Sequence, residues 1–577
     1  MKSMLTILAA CLVVMAPLQG FVNAAGATSA DAPMAPGQLK RSSTVSQISF
    51  LSFEELVQLS NADELPAELQ GMLDVLLQTP LLNSGIAEAD LHARRPVDKR
   101  LGPVLRVAFW NVERGLQLDL MKQALTDPKA FEQTVDEGKK RKASEKAAIL
   151  QQAETLRDAD VLILNEVDLG MKRTDYRDVA QEMAAALGMN YTYGVEFVEV
   201  DGLEDLGTES SHLEDPDLAK KMDEDLKADP AKYRGLHGNA ILSRYPISDA
   251  RIYKLPVCHD WYADEKKEIS QLEKGKRLAA NALFLERINR EVRRGNRMAL
   301  AADIRVPESP TGSVTIVNAH LENKCKPGCR RKQMQAIYEE IKDVKNPLVV
   351  AGDMNTTGKD GSPMSVKGEL IRLGKDYQFW LKNAMTWFTP VSLPTYALMP
   401  FKFWRTYRDP TVMHIPIFGS NAEAGLFGDV KKFKFEDGNG FDTRGLPTHT
   451  ASGRAGTFGD TNERAKKGFA STFAMPRDFG GVLKLKLDWF FVKPLEQPVI
   501  EAVPGASSST AHANNAPPRH LFEPYFPVAM QSLNDSLDDR LSDHCPMTVD
   551  LPLTAVHAHA PAKKSVASLN SKPRGRG

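Results

Sequence analysis

The chain has 577 residues, with 73 Lys and Arg against 74 Asp and Glu, and 42% hydrophobic residues. That length excludes a minimal module and allows either one large core with insertions or two domains. The balanced charge argues against a dedicated duplex-DNA binder with an overall basic face, although a local patch is invisible to a sum.

The first segment reads as an address. Lys2 precedes the apolar run Met4 to Pro17, and Val22-Asn23-Ala24 follows. A basic start, an apolar stretch and a Val-x-Ala site make residues 1–24 an expected bacterial-type secretory signal, so the protein is expected to be exported, periplasmic or secreted. A membrane anchor is the alternative, but the run is short for a span. Leu8-Ala9-Ala10-Cys11 also has the form of a lipoprotein box. Residues 25–45, rich in Ala, Gly, Pro and Ser, read as a disordered linker. From Phe50 to Leu82 the apolar residues recur at helical spacing, so 46–100 reads as a helical N-terminal extension capping the main domain.

Val104 to Trp110 is the first strong strand. Ser144 to Arg157 has helical spacing, and Val161 to Leu164 is a fully apolar strand. Asp175 to Leu187 reads as a helix and Tyr191 to Val200 as an alternating strand. The stretch 199–233 is crowded with Asp and Glu and reads as a solvated insertion. A calcium site there lacks the regular spacing of an EF-hand loop. Strands are expected at Asn239 to Leu242, Ile247 to Leu255, Ala279 to Leu285, Met298 to Ile304 and Val314 to Ala319. A helix over Arg330 to Ile341 and a strand at Leu348 to Val350 follow. Residues 358–470 form a long aromatic-rich insertion holding Trp387, Phe388, Phe401, Phe403 and Trp404. The last strands are Leu483 to Val492 and Met547 to Leu551, and 554–577 reads as a disordered basic tail. So many strands with few intervening helices suit two mixed sheets packed face to face with helices outside, a four-layer α/β sandwich spanning 104–553.

Export changes how the cysteines read. Cys325 and Cys329 flank Lys-Pro-Gly, and in an oxidising compartment a short-loop disulfide between them is the expectation. A metal pair or free thiols are the alternatives, since no second Cys or His pair completes a zinc site. Cys258 and Cys545 read as buried small hydrophobes.

Polar clusters stand at the ends of several strands: FWNVE at 109–113, LILNEVD at 162–168, VNAHLE at 317–322, VVAGDMN at 349–355 and Ser542-Asp543-His544. Hard oxygen donors at separate strand ends suit Mg2+ or Mn2+, with Ca2+ also compatible. Glu166, where a buried strand emerges, is the expected first metal ligand, and Asn111 adds a neutral oxygen. Asp353 and Asn355 alternate on an extended segment, so both face one cleft. The Asp can take a proton from water, and the Asn can hold phosphate. His320 just past its strand is a candidate phosphate contact. Asp488 lies in the apolar run LDWFFV and needs a partner. His544 is the best one, because an Asp–His pair fixes the ring's tautomer and keeps it cationic enough to meet a phosphate.

These ordered motifs resemble the endonuclease/exonuclease/phosphatase superfamily, a DNase I-like group, here as an expected bacterial exported member. The resemblance implies a metal-dependent phosphoester hydrolase with metal residues Asn111, Glu166 and Asp543 and catalytic residues His320, Asp353, Asn355, Asp488 and His544. It also implies an Asn239 that approaches the phosphate, through Gly238-Asn239-Ala240-Ile241-Leu242-Ser243-Arg244. Asn165 stands where many relatives carry Gln, and the 358–470 insertion is longer than usual. The expected substrate is a phosphodiester, with an exported nuclease the leading form. A sphingomyelinase- or phospholipase C-like head-group hydrolase, using the aromatic insertion for peripheral membrane contact, is the second reading. A phosphomonoesterase and a non-enzymatic binding protein follow. No obligate protein partner is implied.

Overall fold

The run Val104 to Trp110 is apolar apart from Arg106, and in the computed structural model every residue of it except Arg106 is buried. The structure describes residues 45–46, 49–200, 228–266, 292–356, 414–415, 419–420, 422–443, 471–474, 484–497 and 519–553, apart from a few positions inside these ranges. The expected signal, linker and tail, the acidic stretch 201–227, the strand expected at 279–285 and the aromatics Trp387, Phe388, Phe401, Phe403 and Trp404 lie outside them.

The strands, in chain order, are β1 (Leu81–Asn83), β2 (Gly102–Arg114), β3 (Val161–Leu169), β4 (Asn190–Glu199), β5 (Leu236–Ser243), β6 (Ile247–Lys254), β7 (Met298–Arg305), β8 (Ser313–His320), β9 (Leu348–Asp353), β10 (Asp488–Lys493), β11 (Tyr525–Ala529) and β12 (Met547–Pro552). One sheet has ten strands, centred on the order β1-β4-β5-β3-β2-β12-β11, and the other has five, in the order β10-β9-β8-β7-β6. Both are mixed. The pairs β2/β3 and β8/β9 are parallel within otherwise antiparallel ladders. Helices α1 (Phe53–Asn61), α2 (Ala67–Gln78), α3 (Leu118–Thr126), α4 (Pro128–Glu137), α5 (Ala143–Arg157) and α6 (Val179–Leu187) contribute to the apolar cluster on the outer face of the larger sheet. Helix α7 (Pro327–Ile341) and helix α8 (Ala424–Lys432) cover the smaller one. The fold is the expected pair of mixed sheets flanked by helices.

The period of two decides which layer each side chain enters. On β2, Leu105, Val107 and Phe109 point between the sheets, while Ala108, Trp110 and Val112 meet the helices. On β3, Val161 and Ile163 point between the sheets. From the smaller sheet, Ile316 on β8, Val349 and Ala351 on β9 and Phe490 on β10 close the same inter-sheet core.

Several expectations are corrected. The segment 46–100 is not helical throughout, because Val45–Ser46 and β1 pair with each other and β1 adds to the sheet beside β4. The strand expected over 483–492 is broken. Thr472 Oγ1 accepts from the backbone of both Leu487 and Asp488, at 3.1 Å each, and interrupts the ladder between Lys484–Leu485 and β10. The disulfide joins Cys258 to Cys329, not Cys325 to Cys329. Cys329 lies within α7. The Cys325 thiol instead turns back to donate to the Glu322 carbonyl at 3.4 Å, and burial pushes it up to about 11. Cys545 is buried as expected. The described part of the long insertion is core. Phe427, Phe435 and Phe441 pack with Trp489 and Phe491 on the smaller sheet's outer face, and the buried Glu423 pairs with Arg330 of α7. No helix among the described residues is long and apolar enough to cross a membrane.

Candidate active site

Each inward-facing row of the sandwich ends in polar residues at one edge. On β2 the row Leu105, Val107, Phe109 continues to Asn111. On β8 the row Val314, Ile316 continues to Asn318 and His320. On β9, Val349 and Ala351 are followed by Asp353, and on β10, Asp488 precedes Phe490 and Val492. Alternation alone brings the expected residues of both sheets to one place. The β9–β10 register sets Asp353 directly opposite Asp488, and the β8–β9 register sets His320 beside Asp353. Gly352 makes this possible, because a Cβ there would lie 1.6 Å from the Ala319 carbonyl oxygen.

The backbone departs from regularity where the carboxylates emerge. The ladders slip between Asn111 and Arg114, between Leu164 and Val167, and between Val195 and Phe197. These bulges carry Glu113, Glu166 and Glu196, and bulges are a recurrent device for re-aiming side chains beside active sites. Glu113 has φ +48°, Glu166 +54° and Asn355 +47°, a left-handed conformation that is costly for residues with a Cβ.

On the smaller sheet, Asp488 Oδ2 lies 2.8 Å from His544 Nδ1, with both groups buried. Burial alone would lower the ring's pKa, but the carboxylates of Asp488, Asp543 and Asp353 outweigh it and raise it well above the usual value. The other ring nitrogen, Nε2, lies 3.6 Å from Asp353 Oδ2. Burial raises Asp353, whose Oδ1 accepts from the Asn355 backbone at 2.8 Å. Asn355 spends one amide hydrogen on the Leu321 carbonyl, at 2.9 Å.

On the larger sheet, Glu166 keeps 25% of its side chain exposed, the one residue of β3 not buried. Burial opposes its ionisation, but His320, His237, Arg114 and the Asn111 amide outweigh that and hold it well below the usual carboxylate range. Asn111 donates from Nδ2 to Glu166 at 3.1 Å, while its Oδ1 accepts from the Glu113 backbone at 3.1 Å. The Asp543 backbone donates to Glu113 Oε2 at 2.9 Å. Burial, together with Asp543, pushes Glu113 up to about 8. Ser542 fixes this corner by donating to the Asn111 carbonyl at 2.7 Å.

Asn239 stands differently from the expectation that it approaches phosphate. It is fully buried, its Oδ1 accepts from Asn165 at 2.7 Å, and its Nδ2 donates to Glu196 at 2.9 Å. Its amide is therefore given to protein partners behind Glu166. Asn165 forms a polar seam between the sheets. It also donates to Asn318 Oδ1 at 2.7 Å and accepts from the Asp353 backbone at 2.9 Å, and Asn318 bonds back to the carbonyls of Leu164 and Ala240. Sequence reading gave no role to Glu113, Asn318, Glu196, Arg297 or the Asp168–His237 pair, in which Nδ1 lies 2.8 Å from Oδ1. Extending each inward-facing row past its last apolar residue would have found Asn318. Glu113 and Glu196 sit on bulges, where parity fails.

The donor set suits a hard divalent cation. Glu166, Glu113 and Asp543 lie near one another at one corner, with Asn111 bonded to Glu166, and Asp543 and Glu166 add to the burial that raises Glu113. Asp353, Asp488 and His544 form a second group whose donor atoms lie within 4.8 Å of one another. There the His544 ring is already engaged through Nδ1 and held cationic, which disfavours a cation at that point.

A sandwich with a carboxylate corner on the larger sheet, and an Asp–His pair that joins Asp488 of the smaller sheet to His544 just before β12 of the larger, defines a hydrolase site suited to an anionic ester. Residues 108–544 match the model of the Endonuclease/Exonuclease/phosphatase family, and the chain belongs to that family, hence among the phosphoesterases and nucleases. No curated protein sequence matches it. Among solved structures it is similar to an endonuclease/exonuclease/phosphatase from Beutenbergia cavernae, 14% identical, covering 79% of this chain and 73% of that one, with TM-score 0.32. It is also similar to a 3' phosphatase, NExo, from Neisseria, 13% identical, covering 78% and 99%, with TM-score 0.34. The human Nocturnin catalytic domain is 11% identical, covering 78% and 95%, with TM-score 0.30.

Proposed function

We propose that this protein is a divalent-metal-dependent phosphodiesterase, with nucleic acid as its leading substrate class. The observation that supports the reading best is the Asp488–His544 pair, buried at 2.8 Å beside Asp353, which joins the smaller sheet to the end of β12 in the sheet that carries Glu166. Glu166, Glu113, Asp543 and Asn111 would hold Mg2+ or Mn2+. The cation, when bound, offsets charge on the phosphate. The protein groups have separate tasks. Asp353 orients the attacking water and accepts its proton, and Asn355 holds the phosphate. His544, kept cationic by Asp488, stabilises charge on the pentacovalent transition state. His320 contacts the phosphate from the other side of the cleft.

The lipid head-group reading rested on the aromatic insertion. Its described aromatics face the smaller sheet, and Trp387, Phe388, Phe401, Phe403 and Trp404, on which that reading relied, lie outside the described residues. Export is the accompanying proposal, supported by the leader-like start and by a disulfide, which persists in oxidising compartments. The test is a panel on purified protein with magnesium, manganese, calcium or EDTA. It compares plasmid and single-stranded DNA, RNA, sphingomyelin, phosphatidylcholine and bis-p-nitrophenyl phosphate. Metal-dependent cleavage of nucleic acid above the lipids is expected. Cleavage confined to the lipids, or full activity in EDTA, would overturn the reading.

A further inference from the structure

Four cations follow one another between α4 and α5, Lys139-Lys140-Arg141-Lys142, in a chain whose total charge is balanced. Lys139 lies outside the described residues. Lys140 and Lys142 are exposed, and among the described residues neither side chain has an ion-pair partner. The neighbouring acids of α4 are engaged elsewhere. Glu132 and Asp136 pair with Lys146 of α5, at 2.7 and 2.8 Å, and Glu137 accepts from Gln133 at 2.6 Å. Glu145, in the first turn of α5, is half-buried. Arg141 donates to the Val135 carbonyl at 2.6 Å, which ties the loop to α4. The arrangement costs stability, because adjacent like charges repel and cations are disfavoured at the positive start of a helix.

The connections carry this loop to the cleft edge of the sandwich. β2 ends at that edge, and α3 leaves from it. α4 reverses after the single residue Asp127, so it returns toward the edge, and α5 then runs away from it to meet the start of β3. Side-chain contacts agree. In the last turn of α5 the Thr155 carbonyl accepts from Arg106, near the far end of β2, at 3.4 Å, and Arg157 donates to the Ala124 carbonyl at the far end of α3, at 3.0 Å. From Thr155 back to Lys142 the helix climbs about 20 Å. From Arg106 to Asn111 the strand climbs about 17 Å. The loop therefore stands level with the corner made by Asn111 and Glu113. Its residues from Gly138 to Lys142 include no large apolar side chain that could enter a bilayer, so its chemistry is that of a contact with phosphates in water.

We infer that the Lys140–Lys142 loop is a docking site for the phosphate backbone of a nucleic-acid substrate, holding the polymer outside the cleft while one of its phosphates lies at the Glu166 corner. This role rests on the nucleic-acid reading and gives it a second point of contact. Ionic contacts to backbone phosphates position a strand without reading its sequence, and their strength falls as salt rises. The loop belongs to the helical layer and the corner to the sheet, so a small diester bound at the corner does not span both.

The experiment uses the full chain, K140Q/K142Q and the charge-retaining K140R/K142R. The probe is a fluorescein-labelled single-stranded DNA of about 20 nucleotides, its binding read by anisotropy in EDTA between about 50 and 200 mM NaCl. Each single-strand phosphate contact contributes about 0.7 to the slope of log affinity against log salt, so K140Q/K142Q should lower that slope by about 1.4 and weaken binding at the lowest salt about tenfold or more. K140R/K142R should bind as wild type does. With magnesium or manganese restored, the ratio of kcat/KM on a polynucleotide to that on bis-p-nitrophenyl phosphate should fall about tenfold in K140Q/K142Q. Both side chains are exposed, so the melting temperature should not fall. No binding of the oligonucleotide by wild type, or a slope and affinity in K140Q/K142Q equal to wild type, would overturn the inference. So would a loss of binding to phosphatidylserine vesicles in K140Q/K142Q with oligonucleotide binding unchanged, which would give the loop to a membrane surface. Loop-dependent oligonucleotide binding with no nucleic acid cleaved would sink the nuclease reading and leave the docking site standing. Cleavage of nucleic acid that is indifferent to the loop would do the reverse.

Discussion

Replacing Gly352 with Ala tests whether the close apposition of β8 and β9 builds the site. The new Cβ would sit 1.6 Å from the Ala319 carbonyl oxygen and 2.6 Å from its carbonyl carbon, where real Cβ contacts essentially never fall under 3.0 Å. Relief from 1.6 to 3.0 Å is a separation of about 1.4 Å, and the neighbouring atoms are backbone, so no side chain can swing away. Parting a buried ladder that far breaks a hydrogen bond or two at about 1 kcal/mol each, and leaves donors or acceptors unpaired at about 1–3 kcal/mol each. Overpacking strain of about 1–3 kcal/mol adds to this, so a loss of at least about 4 kcal/mol is expected, a large part of a typical 5–15 kcal/mol. Guanidinium unfolding of G352A against wild type measures it. G71A is the control. Gly71 lies inside α2 with nothing within 4 Å of its Cβ position, so this change should stabilise by about 0.5–1 kcal/mol. The next residue on each strand is catalytic in the proposal, His320 beside Asp353. At a temperature where G352A remains folded, kcat/KM should therefore fall about 10²-fold. An unfolding midpoint and a kcat/KM both equal to wild type would refute the reasoning.

Chelation should abolish hydrolysis, and added magnesium or manganese should raise the melting temperature of wild type but not of E166A. A metal-induced shift retained in E166A would move the ligand assignment elsewhere. D488N and H544A should each lower kcat by orders of magnitude, and the double variant should be little worse than either. Multiplicative losses would show that the pair does not act as one unit. Peptide mapping of unreduced protein should find Cys258 linked to Cys329 and Cys325 free to alkylate after denaturation. The link spans 71 residues, so C258S should lose about 2–4 kcal/mol. A Cys325–Cys329 peptide would contradict the structure.

What was legible in the sequence followed from period and position. The apolar runs on β2, β3, β8 and β9 identified the strands, and the polar clusters at their ends pointed to Asn111, Glu166, His320 and Asp353. Alternation placed Asp353 and Asn355 on one side, and Asp488 stood out as a carboxylate in an apolar run that needs a partner. The sequence was less informative where local chemistry overrides period. α4 went unseen although Asp127 caps it, accepting from the Ala130 backbone at 3.0 Å, with Pro128 as its first residue, because its polar face masks the apolar spacing. Glu113 and Glu196 sit on bulges, where counting by twos assigns the wrong face. The disulfide was misassigned because proximity in sequence favoured Cys325, while the helix register turns Cys329 toward a loop 71 residues upstream.

The polar seam of Asn165, Asn239 and Asn318 lies between groups that belong to different sheets. Glu166 and Asn111 come from one sheet, and His320, Asp353 and Asp488 from the other. Neither sheet carries a complete set of groups, so turnover is a direct gauge of how closely the two are pressed together. Mild denaturant or pressure that loosens their contact should silence the protein while its circular dichroism still looks native. The same logic makes side chains of the inter-sheet layer, such as Phe109 and Ile316, consequential for rate, though they lie in the apolar layer behind the cleft.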